Sequence, residues 1–310
     1  MTEGLKGNLL MASGALMVSF APVFVKLLIG RNMAPTTIGA WRMLMGAVLF
    51  AGLSRLRGQR LGLGLHGSAA KKMARVLTLA ALFFAIDLFV WHKSIVYVGA
   101  GMATILANTQ VFWTAALGRV VFGDRLSLLL AIAAPLGFVG VVLLTGVGSD
   151  IVLSRDRLLG LAFGLGTGMA YACYLTALKR SSYLEPGSDA PPPAAAPRLA
   201  WIGLGSGVLL SGGAVVEQVE LMPRDGATLG IAFGLALAPQ VLGWLLLDGG
   251  LKRLHAARAA LLLLLQPTFA TIWGALFFGE KLGPAQMAGA AITLTAVFLG
   301  SYRPRLRRHT

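Results

Sequence analysis

The chain has 310 residues, 56% of them hydrophobic and 13% charged, with a mean hydropathy of +0.76 and a net charge of +15. Soluble domains carry about 25% charged residues, so this balance excludes a water-soluble fold. The single cysteine, Cys173, excludes a disulfide framework and a cysteine-based metal cluster.

Apolar runs of roughly 20 residues match a hydrocarbon core about 30 Å thick. They predict ten spans, near 5–29, 35–53, 75–96, 100–122, 126–147, 157–179, 199–217, 227–250, 257–278 and 284–302. An even count puts both termini on one side. With that side cytoplasmic, eighteen of the 27 basic residues fall in inner segments and five in outer ones, the asymmetry the positive-inside rule requires. The positive charge is thus a topology signal rather than a nucleic-acid surface, and the tail 303–310 reads as an anchor to anionic headgroups. The first apolar run is too long for a cleavable signal and lacks a small-residue exit site. Loops are short except 54–74, basic and glycine-rich, and the Pro/Ala-rich 180–198, which reads as a flexible cytoplasmic linker.

The chain is built twice. Ile105–Leu126 lies on Leu261–Leu282 at a constant offset of 156, with Leu106/Leu262, Gln110/Gln266, Gly118/Gly274, Phe122/Phe278, Gly123/Gly279 and Leu126/Leu282 identical. Gly7–Lys26 and Gly160–Lys179 likewise form matching runs from glycine to lysine. Two copies of five spans each, an odd number, must enter the membrane in opposite senses. The expected fold is therefore all-α and integral to the membrane, with ten transmembrane helices in two inverted-topology five-helix repeats and cytoplasmic termini. Its units are 1–150, 151–302 and the tail 303–310. Inverted repeats are typical of secondary transporters, whose site lies near midplane where the repeats meet.

Ala40-Trp41-Arg42 in span 2, the span ends Phe122–Leu126 (FGDRL) and Phe278–Leu282 (FGEKL), and the Gln266-Pro267 break carry a family resemblance across essentially the whole chain. The sequence resembles the ten-span EamA-type transporters of the drug/metabolite transporter superfamily. It departs from that pattern at Val111, where the second copy has Pro267. The resemblance implies export or exchange of small metabolites, such as amino acids, across a bacterial inner membrane, and names no substrate.

A charge at the centre of a membrane helix costs about 2.5–3.5 kcal/mol on insertion scales, so each one asks for a reason. Arg42 suits a substrate carboxylate or phosphate, or a structural pair. Asp87, mid-span 3, is a candidate proton carrier, or the partner of Arg42 or Lys26. His92 beyond it is a candidate relay. Gln110 and Gln266 fall near midplane, where a neutral amide can both donate and accept; interhelical bonding is their other reading. Asn108 and Thr104 stand one turn apart near Gln110. Trp41, Trp91, Trp113, Trp244, Tyr171 and Tyr174 offer aromatic walls or core packing, and Gln240 follows Pro239 in span 8. Near the inner end of that span, Asp248 admits snorkelling or function.

The strings Gly164–Gly168 and Gly203–Gly207 resemble nucleotide loops but sit inside apolar spans. Gly160, Gly164 and Gly168 recur every four residues, as close helix contact demands. No Walker motif is present, which excludes ATP coupling within this chain. No histidine spacing suggests a metal, no cofactor is expected, and no catalytic constellation appears. The expectation is a non-enzymatic secondary transporter working by alternating access, as monomer or homodimer. Its partners are a small-molecule substrate, the lipid bilayer and a proton as coupling ion. Neutralising Asp87 is expected to abolish proton coupling while substrate binding persists. The alternatives are a proton-coupled drug or cation efflux protein and, more distantly, a membrane enzyme or channel.

Overall fold

A computed structural model describes residues 2–61, 67–124, 127–144, 155–183, 194–279 and 283–301. Among these, every regular element is helical. Seven helical stretches are long and apolar enough to cross a membrane, with two shorter apolar helices beside them. Arg125 and Leu126, Glu280–Leu282, most of the 180–198 linker and the tail 303–310 lie outside the described residues.

The helices are α1 (Glu3–Val18), α2 (Ala21–Ile29), α3 (Pro35–Leu56), α4 (Gly67–Asn108), α5 (Gln110–Phe122), α6 (Leu128–Leu144), α7 (Arg155–Ser181), α8 (Ala195–Val216) and α9 (Gly226–Leu235). A π-helical segment, Ala236–Gly243, follows, then α10 (Trp244–Leu251), α11 (Ala256–Leu263), α12 (Leu265–Phe278) and α13 (Pro284–Ser301). The backbone of α4 stays helical throughout, yet Ser94 and Leu106 both press on Gly164. On a straight helix these two would stand about 18 Å apart. The chain therefore doubles back between them, and α4 holds the predicted third span and the start of the fourth.

Four predicted spans differ from continuous α-helices, each for a local reason. Span 1 steps between α1 and α2 because Pro22 has no N–H for the Val18 carbonyl, and Ser19 Oγ bonds Leu16 O at 2.6 Å instead. Span 4 breaks at Thr109, whose N–H bonds Leu106 O at 3.1 Å in a tighter turn. Span 8 widens into the π-helical segment around Pro239. Span 9 breaks at Leu264, three residues before Pro267, where the Leu264 N–H bonds Leu261 O. Span 7 also starts earlier than predicted: Ala195–Arg198, read as linker, is the first turn of α8.

Both copies of the FG element end alike. Gly123 (φ 67°, ψ 21°) and Gly279 (φ 66°, ψ 22°) close α5 and α12 in the left-handed conformation, which glycine adopts without the Cβ clash other residues suffer.

Glycines set the helix pairs. Gly160, Gly164 and Gly168 of α7 face Tyr97–Val98, Leu106 and Thr109 of α4 and its exit, and Ser94 Oγ bonds the Gly160 carbonyl at 2.9 Å. Gly203 and Gly207 of α8 face Met43, Leu44 and Ala47 of α3, while Gly213 faces Thr36. Gly7 and Gly14 of α1 face Leu254 and Leu247, Gly137 and Gly140 of α6 face Ala296 and Thr293, and Gly118 of α5 faces Ala256. For α3 and α8, α1 and the α10 end, and α6 and α13, residue numbers rise on one helix as they fall on the other, so these partners run antiparallel, whereas the contacts of α7 with α4 and its exit rise together. At the centre, α11 and the residues after it, up to Leu265, are buried on all sides, Arg258 included. The leucine run there is core rather than lipid surface.

Candidate functional site

All four interruptions fall beside one cavity of about 420 Å³. Broken helices are tolerated at membrane depth where they line such a space. Val18, Ser19, Pro22 and Val25 come from the α1–α2 step, and Thr104, Asn108 and Gln110 from the α4–α5 break. Gln266, Pro267 and Thr271 come from α12, and Trp244 from the end of the π-helical segment. Phe84, Asp87, Trp91 and Tyr171 complete the wall, with Arg42 from α3 and Gln286 from the first turn of α13. The lining reaches Val25 and Gln286, about a turn from the helix ends near residues 30–34 and 283, which is the mouth end. It stops at Gln110, Phe84 and Trp244, well inside the predicted spans 4, 3 and 8.

The two charges on this wall form no direct ion pair, although each lies within the other's field. Asp87 is 7% exposed, and neither an ion pair nor a hydrogen bond to it is formed among the described residues. Arg42 Nε donates to Gln240 Oε1 at 2.8 Å, so Gln240 stands behind the guanidinium rather than on the wall. Gly46 makes room for that arrangement, since a Cβ there would lie 2.7 Å from Gln240 Cγ. Beneath the cavity the rings of Phe84 and Tyr174 stack at 4.1 Å, and Trp244 meets Tyr174 edge-on at 4.9 Å. The buried Tyr174 hydroxyl and Trp244 Nε1 find no hydrogen-bond partner among the described residues.

The glutamines differ. Gln110 Nε2 donates to the Ala260 carbonyl across helices at 3.2 Å, and Thr114 Oγ1 donates to its Oε1 at 3.1 Å. Gln266 lies within hydrogen-bonding reach of the Tyr171 hydroxyl, though its buried Nε2 has no well-aligned acceptor among the described residues. Asn108 Nδ2 donates to the Thr104 carbonyl one turn back, at 2.8 Å.

Of the remaining aromatic and relay candidates, only Trp91 lies on the wall. Trp41 Nε1 donates to Leu221 O at 2.6 Å, tying α3 to the segment after α8. Trp113 is 42% exposed on the outer surface of α5. His92 sits against Gly39 of α3, near Glu217, and Glu217 pairs with Lys93 and Thr36. Sequence reasoning did not single out Ser19, Phe84, Thr167, Thr271 or Gln286. Pro22, three residues after Ser19, and the lone amide opening span 10 were the available signals.

The opposite, closed end is strapped by buried polar contacts. Asp124 accepts from the Ala256 N–H at 2.7 Å, lies 3.0 Å from His255 Nδ1, and meets Lys179 Nζ at 3.4 Å. Lys179 also donates to the Leu254 carbonyl at 2.8 Å and covers the Phe122 ring at 4.6 Å. Burial pushes the Asp124 carboxyl up, but the bonds from His255 and Ala256, with the Lys179 ammonium, outweigh it and hold the group below its ordinary range. A lowered carboxylate stabilises wherever pH exceeds its unfolded value, about 3.9, and ceases to do so as pH falls through the lowered one. The Ala256 amide should therefore keep its protection against hydrogen exchange from neutral pH to about pH 4. Loss of protection already at pH 6 would contradict the assignment.

A multi-pass helical membrane protein with a polar cavity at the junction of broken helices has the architecture of a membrane transporter. The sequence pattern of the EamA-like transporter family matches residues 5–146 and again 158–302. The chain belongs to that family. It is 28% identical over 219 residues to a protein of Salmonella typhimurium named a probable amino-acid metabolite efflux pump, covering 67% of this chain and 70% of that one. A protein of the same name from Escherichia coli is 25% identical over 216 residues, with the same shares covered. An uncharacterized transporter of Archaeoglobus fulgidus is 26% identical over 181 residues, 58% of this chain and 59% of its own. One crystal structure superposes with a TM-score of 0.77 at 16% identity, over 94% of this chain and 95% of the other, a likeness of fold.

Proposed function

We propose that this transporter exports or exchanges small zwitterionic metabolites, amino acids or close relatives, across a bacterial inner membrane by alternating access. The carrying observation is the pair of opposite charges, Arg42 and Asp87, on one cavity wall without a direct ion pair between them. A zwitterion supplies the missing partners: its carboxylate for the guanidinium, its ammonium for the carboxylate. A cavity of about 420 Å³ falls within the roughly 300–1,000 Å³ common for small-molecule sites. The names of the bacterial relatives agree with this class.

In this reading the chain has ten spans in two inverted five-helix units, 1–150 and 151–302, with a basic tail 303–310 and cytoplasmic termini. Support comes from the packing. Each observed pair joins one unit to the other, and exchanging the units maps the set of pairs onto itself. The corresponding helices α3 and α8, and α6 and α13, run antiparallel. The mouth then faces outward and the Asp124–Lys179 end faces the cytoplasm. Asp87 binds either the substrate ammonium or a proton, which makes outward substrate movement and inward proton movement alternatives at one carboxylate.

A second reading, efflux of organic cations, is favoured by Phe84, Tyr171 and Trp244 near Asp87, since aromatic faces attract cations. Proteoliposome counterflow decides. Saturable exchange of a labelled neutral amino acid, unaffected by a lipophilic cation, supports the first reading. Exchange of the cation alone supports the second, and flux without counterflow contradicts both.

A further inference from the structure

Arg198 and Lys179, the cations of the buried straps, each meet a carboxylate: Asp248 at 2.8 Å and Asp124 at 3.4 Å. Arg42 meets an amide instead. Its Nε donates to Gln240 Oε1 at 2.8 Å, across 198 residues of sequence. A guanidinium has donors only, so the amide must turn its oxygen toward it. Gln240 thus fixes the group without cancelling its charge.

The local structure is arranged around that contact. Pro239 has no N–H to offer the Leu235 carbonyl, and the helix widens over Ala236–Gly243. Gln240 sits in the widened turn, 2% exposed, against Gly46 of α3. A Cβ on Gly46 would lie 2.7 Å from Gln240 Cγ, so the glycine leaves the amide room to reach Arg42. With Nε engaged, the side-on fork of Nε and Nη2 is closed. Nη1 and Nη2 form no hydrogen bond or ion pair among the described residues and are not sealed into the packing, and Arg42 lines the cavity. The end-on fork remains, a two-pronged match for one carboxylate.

We propose that Gln240 is a positioning residue for solute selection. It directs Nη1 and Nη2 of Arg42 into the cavity and leaves their charge uncancelled, and so sets the preference for a solute that bears a carboxylate. A glutamate in its place would pair with Arg42 and occupy the charge; a leucine would release the fork. This rests on the zwitterion reading above.

The test is calorimetric binding of leucine and leucinamide to the full-length protein in detergent, with the melting of each variant recorded. Both ligands keep the ammonium, and only leucine has the carboxylate. Wild type should prefer leucine by about tenfold or more. Gln240→Glu keeps the bond to Nε and adds a negative charge, so the preference should fall to about one. Gln240→Leu removes the bond, and the preference should fall about two- to tenfold, the worth of one net hydrogen bond. Gly46→Ala crowds the amide and should act as Gln240→Leu does, which serves if that variant fails to fold. In each case leucine should bind more weakly and leucinamide no more weakly than before. Equal weakening of both ligands would reduce Gln240 to packing and overturn the proposal, as would an intact preference in Gln240→Glu; the zwitterion reading would stand. A wild type that binds neither ligand, or both equally, would overturn that reading and the proposal with it.

Discussion

Asp87→Asn is expected to abolish flux driven by an imposed pH gradient while labelled-substrate counterflow persists with weaker affinity. The change is nearly isosteric, so packing against Phe84 and Trp91 should survive. What disappears is a group that can carry a proton and a charge that can face an ammonium. Asp87 lines the cavity without a hydrogen bond or ion pair among the described residues, and a structural carboxylate at this depth would have both. A hydrogen bond to a charged group is worth about 1.5–3 kcal/mol, so apparent affinity in counterflow should fall by about tenfold or more. Arg42 and the amides would still hold the rest of the solute. Reconstituted vesicles at symmetric and asymmetric pH separate the two effects. Full pH dependence in the variant would remove Asp87 from coupling.

Arg198→Met should have the largest effect on stability. Arg198 Nη2 grips both oxygens of Asp248 at 2.9 and 2.8 Å, and Nη1 donates to Ser181 Oγ at 2.6 Å. Both side chains of the pair are 1% exposed. The contact joins the start of α8 to the ends of α7 and α10. Removing one member of a buried pair leaves the other charge uncompensated and typically costs about 3–5 kcal/mol, while replacing both by apolar groups is often neutral. The single variant should melt well below wild type in detergent, and Arg198→Met with Asp248→Leu should recover most of the loss. Equal melting of single variant and wild type would mean the pair contributes nothing net. Because the pair lies apart from the cavity wall, solute affinity in surviving protein should be unchanged.

What the sequence made legible follows from what a membrane leaves visible. Repeat offsets, span lengths and the four-residue spacing of Gly160, Gly164 and Gly168 survive in an apolar chain because they depend on residue size and position, not polarity. The midplane glutamines and Asp87 stood out because polar groups are rare there. Which way a side chain points was not legible. A helix between lipid and protein is apolar on both faces, so no periodicity separates Trp113, on the outer surface, from Trp91, on the cavity wall. His92 and Asp87 lie five residues apart on one helix, and only the packing of α4 against α3 shows that they face different neighbours. The bond from Arg198 to Asp248 spans fifty residues, and each charge near a span end reads equally well as a topology signal. The break at Pro267 was read from the sequence, the step at Pro22 was not although a proline marks it, and Thr109 breaks its helix without proline and gave no warning.

The central claim, that Arg42 and Asp87 together read a zwitterion, is tested most directly by calorimetric binding of a neutral amino acid and its carboxamide. The carboxamide keeps the ammonium and loses the carboxylate. Wild-type protein should prefer the acid by about tenfold or more, the worth of one charge-assisted hydrogen bond, and Arg42→Met should bind both ligands with equal, weaker affinity. Equal binding of the two ligands by wild type, or a preference that survives intact in Arg42→Met, would contradict the account.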